Sequence, residues 1–473
     1  MSRTSPAAAK GAGAAAPARP PEAPQDVPPA VRRFQNRITL CAGGGEVCDG
    51  WVLGVVGAAL PLARDDLAMS PLWVGLVGAS SLVGILVGGL FFGWVTDRIG
   101  RQRMYLFDLA VFLAGSVLQL TVDNALQLLA VRLVMGVAVG ADYAIAGALV
   151  AEFAPPHRRG RLLASLIAFW YVGYTFAAAF GFALAAWSDD ASVWRWILAS
   201  SAVPSLVVLL ARLGTPESPH WLASKGRYDE ADAICRRWLG APFDRAGARE
   251  AAGESGYTTL FSPLYVRRTL FTSIFWLCQI TPFFAISTFS PQVLASLGVA
   301  SGGVGEVVLN LFLLIGCVAG VWLMNKVGRR PLLIWPFVVA AAALLVLGLW
   351  PYGPQWVVIG CFAVFALFHA GSSTLQAVYP SEVFPTEIRA SGIGFAAGVS
   401  RLGGAAGTFL VPMGLQAWGA GPVMVAGCAL SLLGALVSAA WAPETKGLEL
   451  SQASTPYEAL DRDRGTAPLS TTP

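Results

Sequence analysis

Six ionisable side chains stand inside long apolar stretches of this sequence: Glu46 and Asp49 in CAGGGEVCDGWVLG, Asp108 in YLFDLAVF, Arg132 in LLAVRLVMG, Asp142 in VGADYAIAG and Arg401 in GVSRLGGAAG. A charge at the centre of a membrane-spanning helix costs roughly 2.5–3.5 kcal/mol on insertion scales, so each is a functional hypothesis by default. Glu46 and Asp49 are three apart, hence on one helix face and about 4.5 Å apart along the axis. Asp49 is about twelve residues from either end of its apolar run, at the midplane. Arg132 and Asp142 are ten apart, roughly 15 Å along a helix, with Arg132 in the outer half and Asp142 at or below the middle. A carboxylate facing an arginine at such depth has two stable arrangements: ionised and paired, or protonated with the arginine released. That is chemistry for coupling movement to a proton, with Asp49, Arg132, Asp142 and Glu46 as the coupling groups. A fixed structural ion pair is the alternative, and it is the reading for Asp108 near the water interface.

A second set of side chains could hold a solute. Cys278-Gln279-Ile-Thr281-Pro282-Phe283-Phe284 combines amide, hydroxyl and aromatic groups on a helix weakened by proline, a way to build a cavity wall. Gln279 and Thr281 are the binding groups there, and Asn310, Gln376, Trp170, Tyr171 and Tyr174 are further candidates. The guanidinium of Arg401 suits a carboxylate through two parallel hydrogen bonds. The competing role for Arg401 is a permanent pair with Asp49, Glu46 or Asp142. No nucleophile and base pair, metal cluster or phosphate loop is present, so no catalytic residue, metal or cofactor is expected. The seven cysteines show neither metal-ligand spacing nor a disulfide framework and read as small packing residues.

The elements that must carry these groups follow from composition. Of 473 residues, 55% are hydrophobic and only 13% are charged, with a mean hydropathy of +0.62, against about 25% charged in a soluble domain. A water-soluble enzyme is disfavoured. The net charge of +4 is dispersed among connections instead of forming one patch, so nucleic acid is not an expected partner. Setting aside residues 1–36, 213–268 and 443–473 leaves room for about twelve helices of ~20 apolar residues. The apolar runs place spans 1 to 12 near 37–62, 71–95, 104–121, 125–150, 162–186, 193–212, 269–296, 303–325, 331–350, 354–378, 391–417 and 420–442. Residues 1–36, rich in Ala and Pro, read as a disordered tail without a signal-peptide core. With an even number of spans and both tails in the cytoplasm, 28 of the 32 basic residues are cytoplasmic, Arg64 and Arg195 are outside, and Arg132 and Arg401 lie within helices. Lys and Arg accumulate in short cytoplasmic loops, which selects this orientation in a plasma (inner) membrane. The loop 213–268 should form short amphipathic helices.

Two motifs recur at nearly one offset. Gly93-Trp-Val-Thr-Asp97-Arg98-Ile-Gly100-Arg101-Gln-Arg103 is matched by Gly320-Val-Trp-Leu-Met-Asn325-Lys326-Val-Gly328-Arg329-Arg330, 228 residues on. Glu152-Phe-Ala-Pro155-Pro156-His-Arg158-Arg159-Gly160 is matched by Glu382-Val-Phe-Pro385-Thr-Glu-Ile-Arg389, 230 residues on. A shared offset means a duplicated six-helix unit. The glycines permit a tight turn and close helix approach. Asp97 with Arg101, and Glu152 with Arg158 or Arg159, could latch one half to the other and part when the cavity opens inward; plain positive-inside anchoring is the alternative. Asn325 replaces the acidic residue in the second half, which weakens that latch.

At these residues, and at Pro216-Glu217-Ser218-Pro219-His-Trp221-Leu222 and Pro443-Glu444-Thr445-Lys446-Gly447, the sequence resembles the major facilitator superfamily over about 37–450. Within it the sugar porters and the phosphate and organic-metabolite proton symporters are the similar branches. The resemblance implies an all-α integral membrane protein of twelve transmembrane helices, with halves 37–212 and 269–442 related by a pseudo-twofold axis. It matches Asp49 to a span-1 Asp, Arg132 to the Arg opening span 4, Gly140-Ala-Asp142-Tyr143 to a Gly-Asp-Tyr of the phosphate branch, and Arg401 to that branch's span-11 Lys. Gln279 stands where phosphate symporters carry an acid, which disfavours inorganic phosphate. The function implied is secondary active transport of a small polar metabolite, an organic anion or a sugar, by proton symport through alternating access, in a monomer. A proton-coupled exporter is the alternative, and a transporter-like nutrient sensor a more distant one.

Overall fold

The computed structural model describes residues 28–154, 156–245, 257–298 and 304–446, and among these every regular element is helical. Span 1 runs over Pro29–Gly54 and Val56–Asp66, and span 2 over Pro71–Ile99. Spans 3, 4 and 5 are Arg101–Leu118, Ala125–Phe153 and Pro156–Trp187. Span 6 joins Val193–Ala199 to Ala202–Arg212. In the second half, span 7 joins Val266–Thr288 to Ser290–Ser296, and span 8 is Val304–Val327. Span 9 is Arg329–Leu349, span 10 joins Gln355–Ser373 to Leu375–Val383, span 11 is Thr386–Trp418 and span 12 is Ala420–Trp441. Eleven of these helices are long and apolar enough to cross a membrane, and the remaining one, span 11, is the Gly-rich helix that carries Arg401.

The first helix begins at Pro29, so the expected tail boundary at residue 36 is too late; residues 1–27 of that tail lie outside the described residues. The early start has a packing reason. Phe34 stacks on Trp238 with ring centroids 4.5 Å apart and meets Phe153 edge-on at 5.3 Å. Trp238 belongs to the amphipathic helix Tyr228–Leu239 of the middle loop, which thereby docks on the extension of span 1.

Spans pair in a symmetric pattern. Spans 1 and 5 pack together as do 7 and 11, spans 2 and 4 as do 8 and 10, and spans 3 and 6 as do 9 and 12; the seam between halves is made by 2 against 11 and 5 against 8. The closest approaches rest on glycine. A Cβ at Gly173 on span 5 would strike the backbone of Val47, and one at Gly316 on span 8 the backbone of Leu367. Packing between small residues replaces the hydrophobic drive that lipid cannot supply.

Spans 1, 7 and 10 break mid-course, where continuous helices were expected. Pro61 and Pro380 each lie inside their helices, and Pro291 opens the second piece of span 7. Proline removes one i→i−4 bond and crowds the preceding turn. At span 10, Ser372, Ser373 and Thr374 hydroxyls also bond back to carbonyls three residues earlier, which favours bending. The breaks at Val55 and Thr374 lie within a turn or two of Asp49 and Gln376.

Candidate functional site: a buried ion cluster and a polar seam

Spans 1, 3, 4 and 6 converge on one guanidinium. Arg212, in the last turn of span 6, is fully buried, and its Nη1 donates to the Tyr105 carbonyl at 2.9 Å and reaches Asp108 Oδ2 at 3.3 Å. Nη2 lies 3.1 Å from Asp142 Oδ1, and Nε donates to the Cys41 carbonyl at 3.3 Å. The guanidinium carbon sits 3.3 Å above the centre of the Tyr105 ring, which adds cation–π attraction. Gly45 makes the arrangement possible, because a Cβ there would collide with both Arg212 and Asp142. The orientation count placed Arg212 in water at the cytoplasmic surface; the structure corrects this, since two buried carboxylates hold it inside the half. Nothing in the sequence marks it: no counterpart arginine stands 228 residues on, where the chain has Ala440.

Glu46 and Asp49 lie beside this cluster, within electrostatic reach of Asp142 and Arg212. Asp49 is fully buried and neither of its carboxylate oxygens has a hydrogen-bond partner. The resemblance set Arg132 against Asp49, but the two do not pair in this conformation. Arg132 Nη1 donates instead to the Val52 carbonyl at 2.9 Å, one turn ahead of the break in span 1. Asp142 and Asp108 are thus paired through Arg212, while Asp49 is not paired at all.

The solute-binding candidates gather at the seam. Gln279 Nε2 donates to Ser372 Oγ at 2.6 Å, and Gln376 Nε2 donates to Gln279 Oε1 at 3.0 Å. Tyr174 stacks on Trp170 at 5.1 Å and approaches Phe283 of the other half at 5.6 Å. Phe283 in turn lies parallel to the ring of His369, 5.3 Å away. Thr281 packs against Gly403 of span 11, its hydroxyl donating to the Leu277 carbonyl at 2.8 Å. Asn310 contributes its carbonyl, which accepts from Thr175 Oγ1 of span 5 at 3.0 Å. Arg401 crosses the seam: its guanidinium lies 5.3 Å from the Tyr143 ring centre and within electrostatic reach of Glu46. His369 and Ser372 were missed, although His369 is the one ionisable group in the apolar run of span 10. The set contains amides, hydroxyls, aromatic faces and one guanidinium, suited to holding a polar solute.

The cytoplasmic-motif residues form two copies of one network. In the first half Arg101 meets Glu152, Ser218 Oγ donates to Glu152, and Glu217 Oε1 accepts from the backbone N–H of Arg101 at 2.9 Å and Gln102 at 3.1 Å. In the second, Arg329 lies 3.0 Å from Glu382, Thr445 Oγ1 donates to Glu382 at 2.6 Å, and Glu444 accepts from Arg329 N at 3.0 Å and Arg330 N at 3.1 Å. Gly100 and Gly328, at φ +112° and +104°, turn the chain so that these N–H groups point at the carboxylates. Two negative side chains therefore cap the N-termini of spans 3 and 9. The expected latches between halves are corrected: Arg101 engages Glu152 and not Asp97, and both ion pairs close within a half. The reason is geometric, since Glu217 and Glu444 return to the turns they follow by one repeat. Arg330 donates to the Ala439 carbonyl at 2.7 Å and Arg389 to the Phe384 carbonyl at 3.2 Å, also within the second half, and Arg98 is exposed. The side chains of Asp97, Arg158 and Arg159 lie outside the described residues.

Comparison with known proteins agrees with this architecture. The family model described as "Sugar (and other) transporter" matches residues 38–457. The chain is 39% identical over 424 residues to YaaU of Escherichia coli (strain K12), covering 89% of this chain and 95% of YaaU. It is 36% identical over 420 residues to the inner membrane metabolite transport protein YgcS of the same strain, covering 89% of this chain and 94% of YgcS. Among solved structures it is similar to the xylose transporter XylE of E. coli in a partially occluded inward-open conformation, with a TM-score of 0.76 at 22% identity over 88% of this chain and all of that one. The doubled six-helix plan, the paired capping networks and the family match lead to one assignment: this chain belongs to the sugar (and other) transporter family, multi-pass membrane transporters with the twelve-helix major facilitator fold.

Proposed function

We propose that this protein moves a small polar metabolite bearing a carboxylate, coupled to protons by symport, with both termini in the cytoplasm. The observation that carries the coupling is Asp49: a fully buried mid-span carboxyl with no hydrogen-bond partner, next to a cluster whose other carboxylates are paired. A group so placed gains from taking up a proton when it faces one side and from releasing it when a partner or water reaches it from the other. Asp142 and Glu46 pass charge changes on to Arg212 and to Arg401 across the seam. The membrane potential adds about 2.3 kcal/mol per charge per 100 mV. The proton:xylose symporter named among the similar structures supports proton coupling by likeness of fold.

Arg401 carries the substrate class. It reaches across the seam to Tyr143, and a planar fork there suits a carboxylate, while Gln279, Gln376 and Ser372 supply neutral donors and acceptors for hydroxyls. The amide pair also favours a second reading, a neutral sugar or polyol, which the myo-inositol transporter IolT of Bacillus subtilis, 27% identical, supports. Thermal shift of the purified protein with sugars, polyols and their acid derivatives, followed by competition against uptake of the best hit, separates the two. Acids competing better than matched polyols, with the preference lost in Arg401→Ala, is the expected result; polyols competing better returns the site to neutral solutes.

A further inference from the structure

We propose that an anionic phospholipid binds in the groove between spans 1 and 6 on the side of the termini. The groove, of about 520 Å³, is polar at one end, where Arg33, Asn36 and Arg37 stand, and apolar along the rest, where Leu40, Val208 and Ala211 form the walls. Residues 33, 37, 40 and 44 lie one or two turns apart, so a single stripe of span 1 faces it. Gly44 sets its depth: a Cβ there would press on Val208 at 3.0 Å, so glycine lets the helices approach and leaves a channel beside them. Leu40 is 61% exposed, an apolar side chain lacking a protein neighbour at a depth where lipid supplies one.

Depth and charge specify the occupant. Counting from Asp49 at the midplane, Arg37 lies about 18 Å and Arg33 about 24 Å along the helix axis at 1.5 Å per residue. The hydrocarbon boundary is about 15 Å from the midplane, so both guanidinium groups reach the phosphate layer while Leu40 and Gly44 lie among the acyl chains. No carboxylate lines the groove among the described residues. Two arginines above an apolar channel match a phosphate ester carrying an acyl chain and a net negative charge, as in phosphatidylglycerol, since basic pockets between helices on the cytoplasmic side select anionic headgroups. A zwitterionic lipid brings its own cation and gains less. The far wall of the groove is the ion cluster itself: Cys41 Sγ contacts the Ala211 carbonyl at 3.7 Å, and the Cys41 carbonyl accepts from Arg212. A lipid seated here clamps the two helices whose junction holds Arg212.

This inference takes its leaflet from the orientation proposed above, but the test does not. Full-length protein in zwitterionic micelles is titrated with phosphatidylglycerol, phosphatidylcholine and glycerol phosphate, and bound lipid is counted by native mass spectrometry. Tighter binding of phosphatidylglycerol than of either other probe is expected, weakened about fivefold by Arg33→Gln or Arg37→Gln and about 25-fold by both together. Ala211→Trp, which fills the channel and keeps the charges, should also abolish retention, and Lys326→Gln on span 8 should leave it unchanged. Equal binding of glycerol phosphate, equal loss in Lys326→Gln, or unchanged binding in the double arginine variant would each overturn the lipid site. Because micelles have no sides, none of these outcomes bears on the orientation; cysteine labelling of intact cells at the termini decides that separately.

Discussion

Removing Arg212 should destabilise the first half severely, and removing its two carboxylate partners as well should restore most of the loss. Arg212→Leu leaves Asp108 and Asp142, both fully buried, without their shared cation, and deprives the Tyr105 and Cys41 carbonyls of a donor. Breaking a buried pair from one side costs about 3–5 kcal/mol, because the surviving charge has neither water nor partner. That is a large part of a total stability of about 5–15 kcal/mol. In the triple variant Arg212→Leu, Asp108→Asn, Asp142→Asn no charge is stranded, so only the amide hydrogen-bonding deficit of about 1–2 kcal/mol should remain. The measurement is the unfolding free energy of the purified variants by denaturant titration in mixed micelles. If Arg212→Leu unfolds with the wild-type midpoint, or if the triple variant is no more stable than the single one, the cluster is not the electrostatic anchor described here.

Gly45→Val should be destabilised by about 1–3 kcal/mol through overpacking against Arg212 and Asp142, which a denaturation midpoint will report. Glu444 gives an acid-side signature. Burial opposes its ionisation, but the backbone N–H groups of Arg329, Lys446, Arg330 and Thr445 more than offset this and hold its carboxyl below the usual carboxylate value. A depressed folded-state pKa stabilises above the unfolded value of about 4.3 and ceases to do so as pH falls through the folded value. The contribution is at most about 1 kcal/mol at so exposed a site, so the melting-temperature gap between wild type and Glu444→Gln should be widest near neutrality and close on acidification; a gap that widens towards acid contradicts the capping role. At the seam, Arg401→Lys should raise the apparent Michaelis constant and Arg401→Ala should leave little transport, since a point charge does not replace a planar fork. Gln279→Ala, which strips a partner from both Ser372 and Gln376, should raise the Michaelis constant more than it lowers the maximal rate.

The helices were legible because lipid imposes long apolar runs, and every expected span is present with ends shifted by a few residues. The doubling was legible too, since Gly100 and Gly328 repeat at a fixed offset. What each charged side chain meets was not. Arg101 was expected to meet Asp97, four residues before it, but in three dimensions Glu152 and the returning Glu217 are nearer. Glu217 and Glu444 were visible as motif residues, and their common offset with the two glycines held the signal for their capping role. Arg212 had none: an arginine closing a span reads as an anchor unless Asp108, Asp142 and Gly45 are known to surround it. The pairing of Arg132 with Asp49 came from resemblance, and in this conformation the broken end of span 1 offers Arg132 a carbonyl instead.

Whether Asp49 couples a proton to transport is tested most directly in proteoliposomes loaded with wild-type protein or Asp49→Asn, with labelled substrate followed under an imposed pH gradient and, separately, in counterflow exchange without one. An amide resembles the neutral acid but cannot cycle a proton. The account predicts that wild type concentrates substrate when the gradient is applied, and that Asp49→Asn exchanges substrate but never concentrates it. Accumulation by Asp49→Asn at the wild-type level would contradict it.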